Sequence, residues 1–180
     1  MRLFTTLLCC APLLAQAADL AQLRGEAEAL IPPFQQQLLA SVQTAVATGG
    51  PAQAVEACRQ LAPGIAQQHS VAPRKVGRTA LRLRNPDNRP DAWEQAVLED
   101  FQRRSQAGEA VASLNRAEVV DGEFRYMRAI ATGEPCLACH GSAVKPELVQ
   151  LLDRHYPQDQ ARGFAAGKLR GAFTLRRPLE

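Results

Sequence analysis

The chain has 180 residues, 46% hydrophobic and 22% charged, with 21 basic against 18 acidic side chains and a net charge of +3. That charge is small and scattered, so it gives no basis for a nucleic-acid or anionic-membrane partner. The length suits one core and one domain, and there are no repeats or low-complexity tails.

Residues 1–17 read as a signal peptide. Met1-Arg2 is a short basic start, Leu3 to Leu14 is an apolar run broken only by Thr5, Thr6 and Pro12, and Ala15-Gln16-Ala17 is a small-x-small cleavage site. The run falls short of the roughly 20 residues needed to cross a bilayer. Cys9 and Cys10 have too little apolar sequence before them for a lipoprotein signal. The expectation is a single domain over residues 18–180, exported to the periplasm, with no integral membrane segment in the mature chain.

Asp19 to Ala47 is predicted as helix, with Leu20, Leu23, Ala27, Leu30, Ile31, Phe34, Leu38, Val42 and Ala45 at helical spacing. Pro32-Pro33 is expected to kink or interrupt it. Gly49-Gly50 ends it, and Pro51 opens a second helix predicted to run to about Leu61. There Ala54, Val55, Cys58, Leu61 and Ala62 share a face, which turns Cys58 inward. Arg74 to Leu83 is predicted as a strand, and the stretch from Arg84 to Pro90 is dense in turn formers.

Asp91, with Glu94 three residues on, forms a capping-box pattern. The helix it opens is predicted to carry Trp93, Ala96, Val97 and Phe101 inward and to end near Gly108. Two strands, at about Ala110 to Val120 and Glu123 to Ala131, flank a tight turn at Asp121-Gly122. Lys145 to about His155 is predicted as a helix opened by Pro146, and Leu169 to Arg176 as the last strand. Helices at one end and antiparallel strands at the other imply the α+β class.

Beyond the signal peptide the cysteines are Cys58, Cys136 and Cys139, an odd count for an oxidising compartment. Cys136-Leu137-Ala138-Cys139-His140 is C-x-x-C-H, the attachment signature of c-type haem. Two thiols three positions apart can each bond one haem vinyl group, and the adjoining imidazole then reaches the iron. Three other readings fit less well. A thioredoxin-like dithiol expects a neighbouring βαβ pattern. Zinc needs four ligands, and Cys58, His69 and His155 lie at unhelpful spacings. A plain disulfide needs no His140.

The residues alone leave the second axial ligand open among Cys58, Met127, His155 and His69. Met127 is in a strand and suits core packing. His155 suits a surface or propionate-facing place, His69 a solvated helix end, and Cys58 an inert buried thiol. Arg78, Arg82, Arg84 and Arg125 are candidate propionate contacts, with Arg84 also suited to the turn. Trp93 suits the core rather than electron relay.

Several stretches resemble a c-type haem domain family with a PAS-like fold, described from a cyanobacterial c-type cytochrome. They are Ala54-Val55-Glu56-Ala57-Cys58-Arg59 with Ala62-Pro63, Val76-Gly77-Arg78-Thr79 through Arg84-Asn85-Pro86 and Asn88, Trp93-Glu94, and Cys136 to Gly141. The last is Tyr156-Pro157 with Asp159, Ala161, Gly163, Gly167 and Arg170-Gly171-Ala172. The resemblance implies a PAS-like antiparallel sheet with N-terminal helices and one covalent haem c. Its iron would be held by His140 and Cys58.

A thiolate ligand stabilises ferric iron, which implies a low potential. Loss of Cys58 on reduction would open the iron to carbon monoxide or nitric oxide. The expected function is therefore electron transfer or a free-standing redox module, with an unidentified redox or signalling protein as partner. The alternative is a redox or gas sensor acting through a separate partner. An enzyme is not expected, because two protein ligands leave the iron no substrate position.

Overall fold

The computed structural model describes residues 11–179, with side chains described from residue 19. Residues 1–10, and with them most of the expected signal peptide, lie outside the described residues. The first helix, α1, spans Ala11–His69 and is folded on itself, because Gly49 (φ −147°) and Gly50 (φ 70°, ψ −170°) leave helical geometry. The Gly50 conformation is one that residues with a Cβ essentially avoid. Pro51 begins the second arm, where its missing N–H leaves no helix bond unmade.

The two arms close on small and apolar residues. Val42 and Ala45 meet Ala54 and Ala57 near the bend, and Leu38 and Ile65 share the main core. At the open end Gln37 bonds Gln68 and His69, each at 2.8 Å. The second arm runs eight residues past the predicted end at Leu61, continuing through Pro63 because Ile65 is buried against the sheet. Pro32-Pro33 does not break the first arm. Ile31 and Phe34 on either side are 0% and 1% exposed, and that anchoring overrides the local preference.

Four antiparallel strands form one sheet in the order β1-β4-β3-β2: β1 Lys75–Thr79, β2 Asn115–Val120, β3 Glu123–Ala131 and β4 Leu169–Pro178. Strands β2 and β3 pair Val120 with Glu123 across Asp121-Gly122, whose φ values of 51° and 75° are those of the predicted tight hairpin turn. Helix α2, Ala92–Gln106, starts at the expected capping box, with Asp91 and Glu94 each accepting from the other's backbone N–H. Two short 3₁₀ turns, Pro86–Asn88 and Val111–Ser113, occupy ground that alternation alone had given to loop and strand.

The sheet is covered on both faces, and the strand period of two decides what goes where. Phe124, Tyr126, Phe173, Leu175 and Val76 point to α1, where they meet Ala27, Ile31, Phe34 and Leu38. Met127, Ala129 and Ala172 point the other way, to Val97, Leu98 and Phe101 of α2. Trp93 is half-buried there and donates to Glu118 at 2.8 Å, whereas Ala96, expected inward, is exposed. The architecture is the expected α+β class with N-terminal helices against an antiparallel sheet. Among the described residues no helix is long and apolar enough to cross a membrane.

The C-x-x-C-H segment lies between β3 and β4. A 3₁₀ turn, Glu134–Cys136, runs into the single-turn helix α3, Leu137–His140, and then into α4, Pro146–His155. Leu148, Leu152 and Tyr156 pack on Val55 of the second arm, with Cys139 against the same cluster. Gly171 lets β1 and β4 close up beside this segment. A Cβ there would lie 2.9 Å from Ala80 Cβ and press on the Thr79 carbonyl. Gly171→Ala should therefore destabilise the fold by about 1–3 kcal/mol, read as a lower midpoint in urea unfolding, with an unchanged midpoint refuting the close approach.

Candidate functional site

The motif is held from outside by one loop, residues 156–167. Gly163 N–H donates to the Gly141 carbonyl at 2.8 Å and Phe164 N–H to the His140 carbonyl at 2.9 Å. His140 Nδ1 lies 2.7 Å from the Ala161 carbonyl. A carbonyl only accepts, so Nδ1 carries the proton and Nε2 is left with its lone pair. Burial, reinforced by Arg170 and Arg84, pushes the His140 imidazole down to about 3. It is therefore neutral at ordinary pH, which is the form that binds a metal.

Arg84 ties this loop to the motif. Its Nη2 donates to the Cys139 carbonyl at 2.6 Å and to the Ala161 carbonyl at 3.3 Å, and it pairs with Asp159 Oδ2 at 3.1 Å. The Asp159 side chain is wholly buried. It also takes the Arg162 guanidinium and the Ala161 N–H, each at 2.8 Å. Burial pulls its carboxyl upward, but the bonds from Arg162, Arg84 and Ala161 outweigh that and hold it below the usual carboxylate range.

Cys58 does not sit inside the core as the helical spacing implied. Ala54, Val55 and Ala57 take the buried face, while Cys58 and Leu61 are exposed. The exposed surface of Cys58 lies in a groove shared with Leu38, Val42, Ala57, Leu61, Ala62, Ile65 and Arg78. A concave apolar wall explains why burial still pushes its thiol up, against the downward pull of Arg78 and Arg84. The Cys139 thiol is pushed up too, by burial first and by Cys58 among its neighbours. Cys58 thus stands within electrostatic reach of the motif, across 78 residues of sequence.

The predicted arginines separate by strand face. Arg78 is two residues after Val76 and shares its strand face, so it faces α1 and lines the groove with Cys58, half-buried. Arg82 is exposed, donates to the Gln160 carbonyl at 3.0 Å and to the Arg162 carbonyl, and lies 4.5 Å over the Phe164 ring. Arg125 is on the opposite face of the sheet, bound to Asp91 and stacked 4.7 Å over Trp93, away from the motif. Arg170 had no assigned role, yet it joins the site. Its guanidinium lies 5.2 Å over Phe164, whose ring meets His140 edge-on at 6.5 Å.

The other candidate ligands are elsewhere. Met127 is 0% exposed in the α2-side core. His69 packs on Phe34 at 5.3 Å, and His155 lies 3.6 Å from Glu56. Among the described residues no three His, Cys, Asp or Glu side chains converge on a bare ion, which leaves the zinc alternative without a ligand set. Asp159, Ala161 and Phe164 gained no role from the sequence either. Asp159 and Ala161 entered the sequence reading only among the residues of the family resemblance, and Phe164 not at all.

The donor set fits a haem. Two thiols and a neutral imidazole occupy one segment, and a third thiol on α1 lies within electrostatic reach of Cys139. Around them Arg78, Arg84 and Arg170 stand against one carboxylate, Asp159, and Arg84 Nε is buried without a partner. That surplus positive charge suits a ligand with acidic groups.

Fold and site together define an α+β domain carrying C-x-x-C-H opposite a cysteine on an N-terminal helical hairpin. The chain belongs to the Tll0287-like family, whose model matches residues 18–178. Its structure is similar to the crystal structure of the cyanobacterial heme-protein Tll0287, with TM-score 0.64 and 25% sequence identity over 86% of this chain and 93% of that one. No curated protein matches the chain significantly.

Asp159→Asn should cost about 3–5 kcal/mol, because the largely buried Arg84 guanidinium loses its counter-charge, whereas Arg162 keeps Asp153. The native carboxyl sits below its unfolded value. Its stabilisation is therefore full above the unfolded pKa, near 3.9, and is lost as pH falls through the folded pKa. Acid unfolding followed by circular dichroism should show that limb in the wild type and lack it in the variant; equal limbs would remove Asp159 from this role.

Proposed function

We propose that this protein is a periplasmic monohaem c-type cytochrome, with one haem bound through thioether bonds to Cys136 and Cys139. His140 and Cys58 are the axial ligands, and Arg78 and Arg84 are candidate propionate contacts. The observation that carries the reading is a C-x-x-C-H segment whose imidazole is neutral and oriented by the Ala161 carbonyl, with the Cys58 thiol among the groups acting on Cys139. Membership of the family and likeness to a haem protein support it. A helix-borne ligand over an antiparallel sheet is consistent with the PAS-like character the resemblance implies. The periplasmic location rests on the signal-peptide pattern of residues 1–17.

Bound, the haem supplies a one-electron ferric–ferrous couple. The Ala161 carbonyl fixes the His140 ring and raises its basicity through Nδ1–H. The Cys58 thiolate donates charge and holds the potential low. Burial favours the Cys58 thiol, so the thiolate depends on Arg78, Arg84 and iron to persist. Electron transfer, or service as a free-standing redox module, is the function this arrangement supports best, with a protein partner and no catalytic role. The raised Cys58 thiol also favours a second reading. There an electron from a redox partner and a proton from solvent would convert Cys58 from an iron-bound thiolate to a free thiol, and a sensor would signal that change through a separate partner.

The purified, denatured protein should carry the mass of one haem on the chain, and recovery of the bare-chain mass would refute the proposal. Cys58→Ser should raise the midpoint potential and change the ferric absorption spectrum; no change in either removes Cys58 from the iron. Carbon monoxide added to the reduced wild type separates the two readings. An unchanged six-coordinate spectrum marks a carrier, and prompt binding marks a sensor.

A further inference from the structure

The pairing of β3 with β4 has one irregularity. Ile130 pairs with Gly171 and Ala131 with Leu169, so Arg170 is the extra residue of a β-bulge. In a regular strand Arg170 would share the α2 side with Ala172 and Thr174. A bulge re-aims a side chain, and this one sends the guanidinium over Phe164 and to within 3.3 Å of the Arg82 carbonyl, on the side of His140. Arg78 reaches the site from β1, where it faces α1 and lines the groove beside Cys58.

Neither guanidinium has an acidic partner. No hydrogen bond or ion pair holds Arg78 among the described residues, and burial pushes it below its usual value. Arg170 is pushed down to about 10, by burial first and then by Arg84 and Arg78. Asp159, the carboxylate that acts on Arg170, is already shared by Arg84 and Arg162. Arg84 is committed through Nη2 to the polypeptide, while its Nε is buried and unpartnered. Like charges gathered in a desolvated place oppose folding unless an anion joins them.

We propose that Arg170 and Arg78, with the unpartnered Arg84 Nε, form a subsite for two carboxylates and bind the haem propionates. This rests on the haem reading above and divides the arginine roles: Arg84 mainly holds the motif, and Arg170 and Arg78 hold the ligand's acidic edge. Guanidinium groups suit that task because they stay charged and present paired donors.

The test uses haem-loaded protein and reads midpoint potential from pH 5 to 8. The other titratable or charged groups facing the two arginines are Cys58, Cys136, His140, Tyr156, Asp159, Arg82 and Arg84. In the wild type the paired propionates should stay ionised, giving a potential that is flat with pH. Arg170→Gln and Arg78→Gln should keep the covalent haem mass and lower the potential at pH 8. Each should also gain a slope below pH 7 as a propionate takes up a proton. Arg170→Lys should restore the flat profile, and Lys75→Gln, an exposed charge on β1, should leave it unchanged. Loaded Gln variants with wild-type potentials at every pH would overturn the proposal while leaving the haem reading intact. So would a sloping wild type, which keeps the test decisive where a variant fails to load. A wild type without covalent haem would instead sink the reading beneath it.

Discussion

The buried carboxylate of Asp159 is the constraint on which the site depends. It has no access to water, so its charge is tolerated only with its partners in place. Those partners are Arg84 from the segment after β1, Arg162 from its own loop, and the Ala161 N–H. Arg84 then reaches the Cys139 carbonyl, and the Ala161 carbonyl reaches His140. One charge thereby registers three parts of the chain that share no secondary structure. The rigidity matters because an axial ligand works only if its ring cannot turn. A hydrogen bond to a backbone carbonyl is as good an anchor as the loop carrying it.

The sheet supplies the other half of the geometry by sorting side chains to two faces. Arg78 and Arg125 are both strand arginines, and composition cannot tell them apart. Alternation sends Arg78 toward α1 and Cys58, and Arg125 toward Asp91 and Trp93 on the far face. The second stack, with Glu94 bonded to Thr174 at 2.7 Å, is a fastening between α2 and the sheet. The hairpin of α1 covers the first face, and its second arm meets the cluster that includes Cys139 through Val55.

Much of this was legible from local chemistry. The capping box at Asp91 and Glu94, the hairpin turn at Asp121-Gly122, the bend at Gly49-Gly50 and helix α4 opened by Pro146 are each fixed by a few neighbouring residues, and each lies where the sequence put it. What local patterns could not carry was anything decided at a distance. Pro32, Pro33 and Pro63 are tolerated because buried Ile31, Phe34 and Ile65 hold the helix down. Strand β1 stops at Thr79 rather than Leu83, since Leu83 gives its carbonyl to Gln160 and Thr79 its hydroxyl to the Asn88 carbonyl. Arg170 was invisible as a site residue because its direction comes from a bulge, and a bulge shows only in the pairing register.

Cys58 shows why a helical wheel misjudges a ligand. The wheel asks whether a residue faces the protein, and Cys58 does face other parts of the chain. Yet it is exposed, because the neighbouring wall is a groove rather than packed core. A buried inert thiol and a ligand thiol have the same spacing; they differ in whether open surface or close-packed carbon lies in front of sulfur. The arm bearing Cys58 is braced by Ile65 against the sheet and by Val55 against α4, with glycines at its other end. One of these braces, α4, is the element that follows the motif directly. Both sides of the site are referenced to the same stretch of chain, although Cys58 and His140 are 82 positions apart.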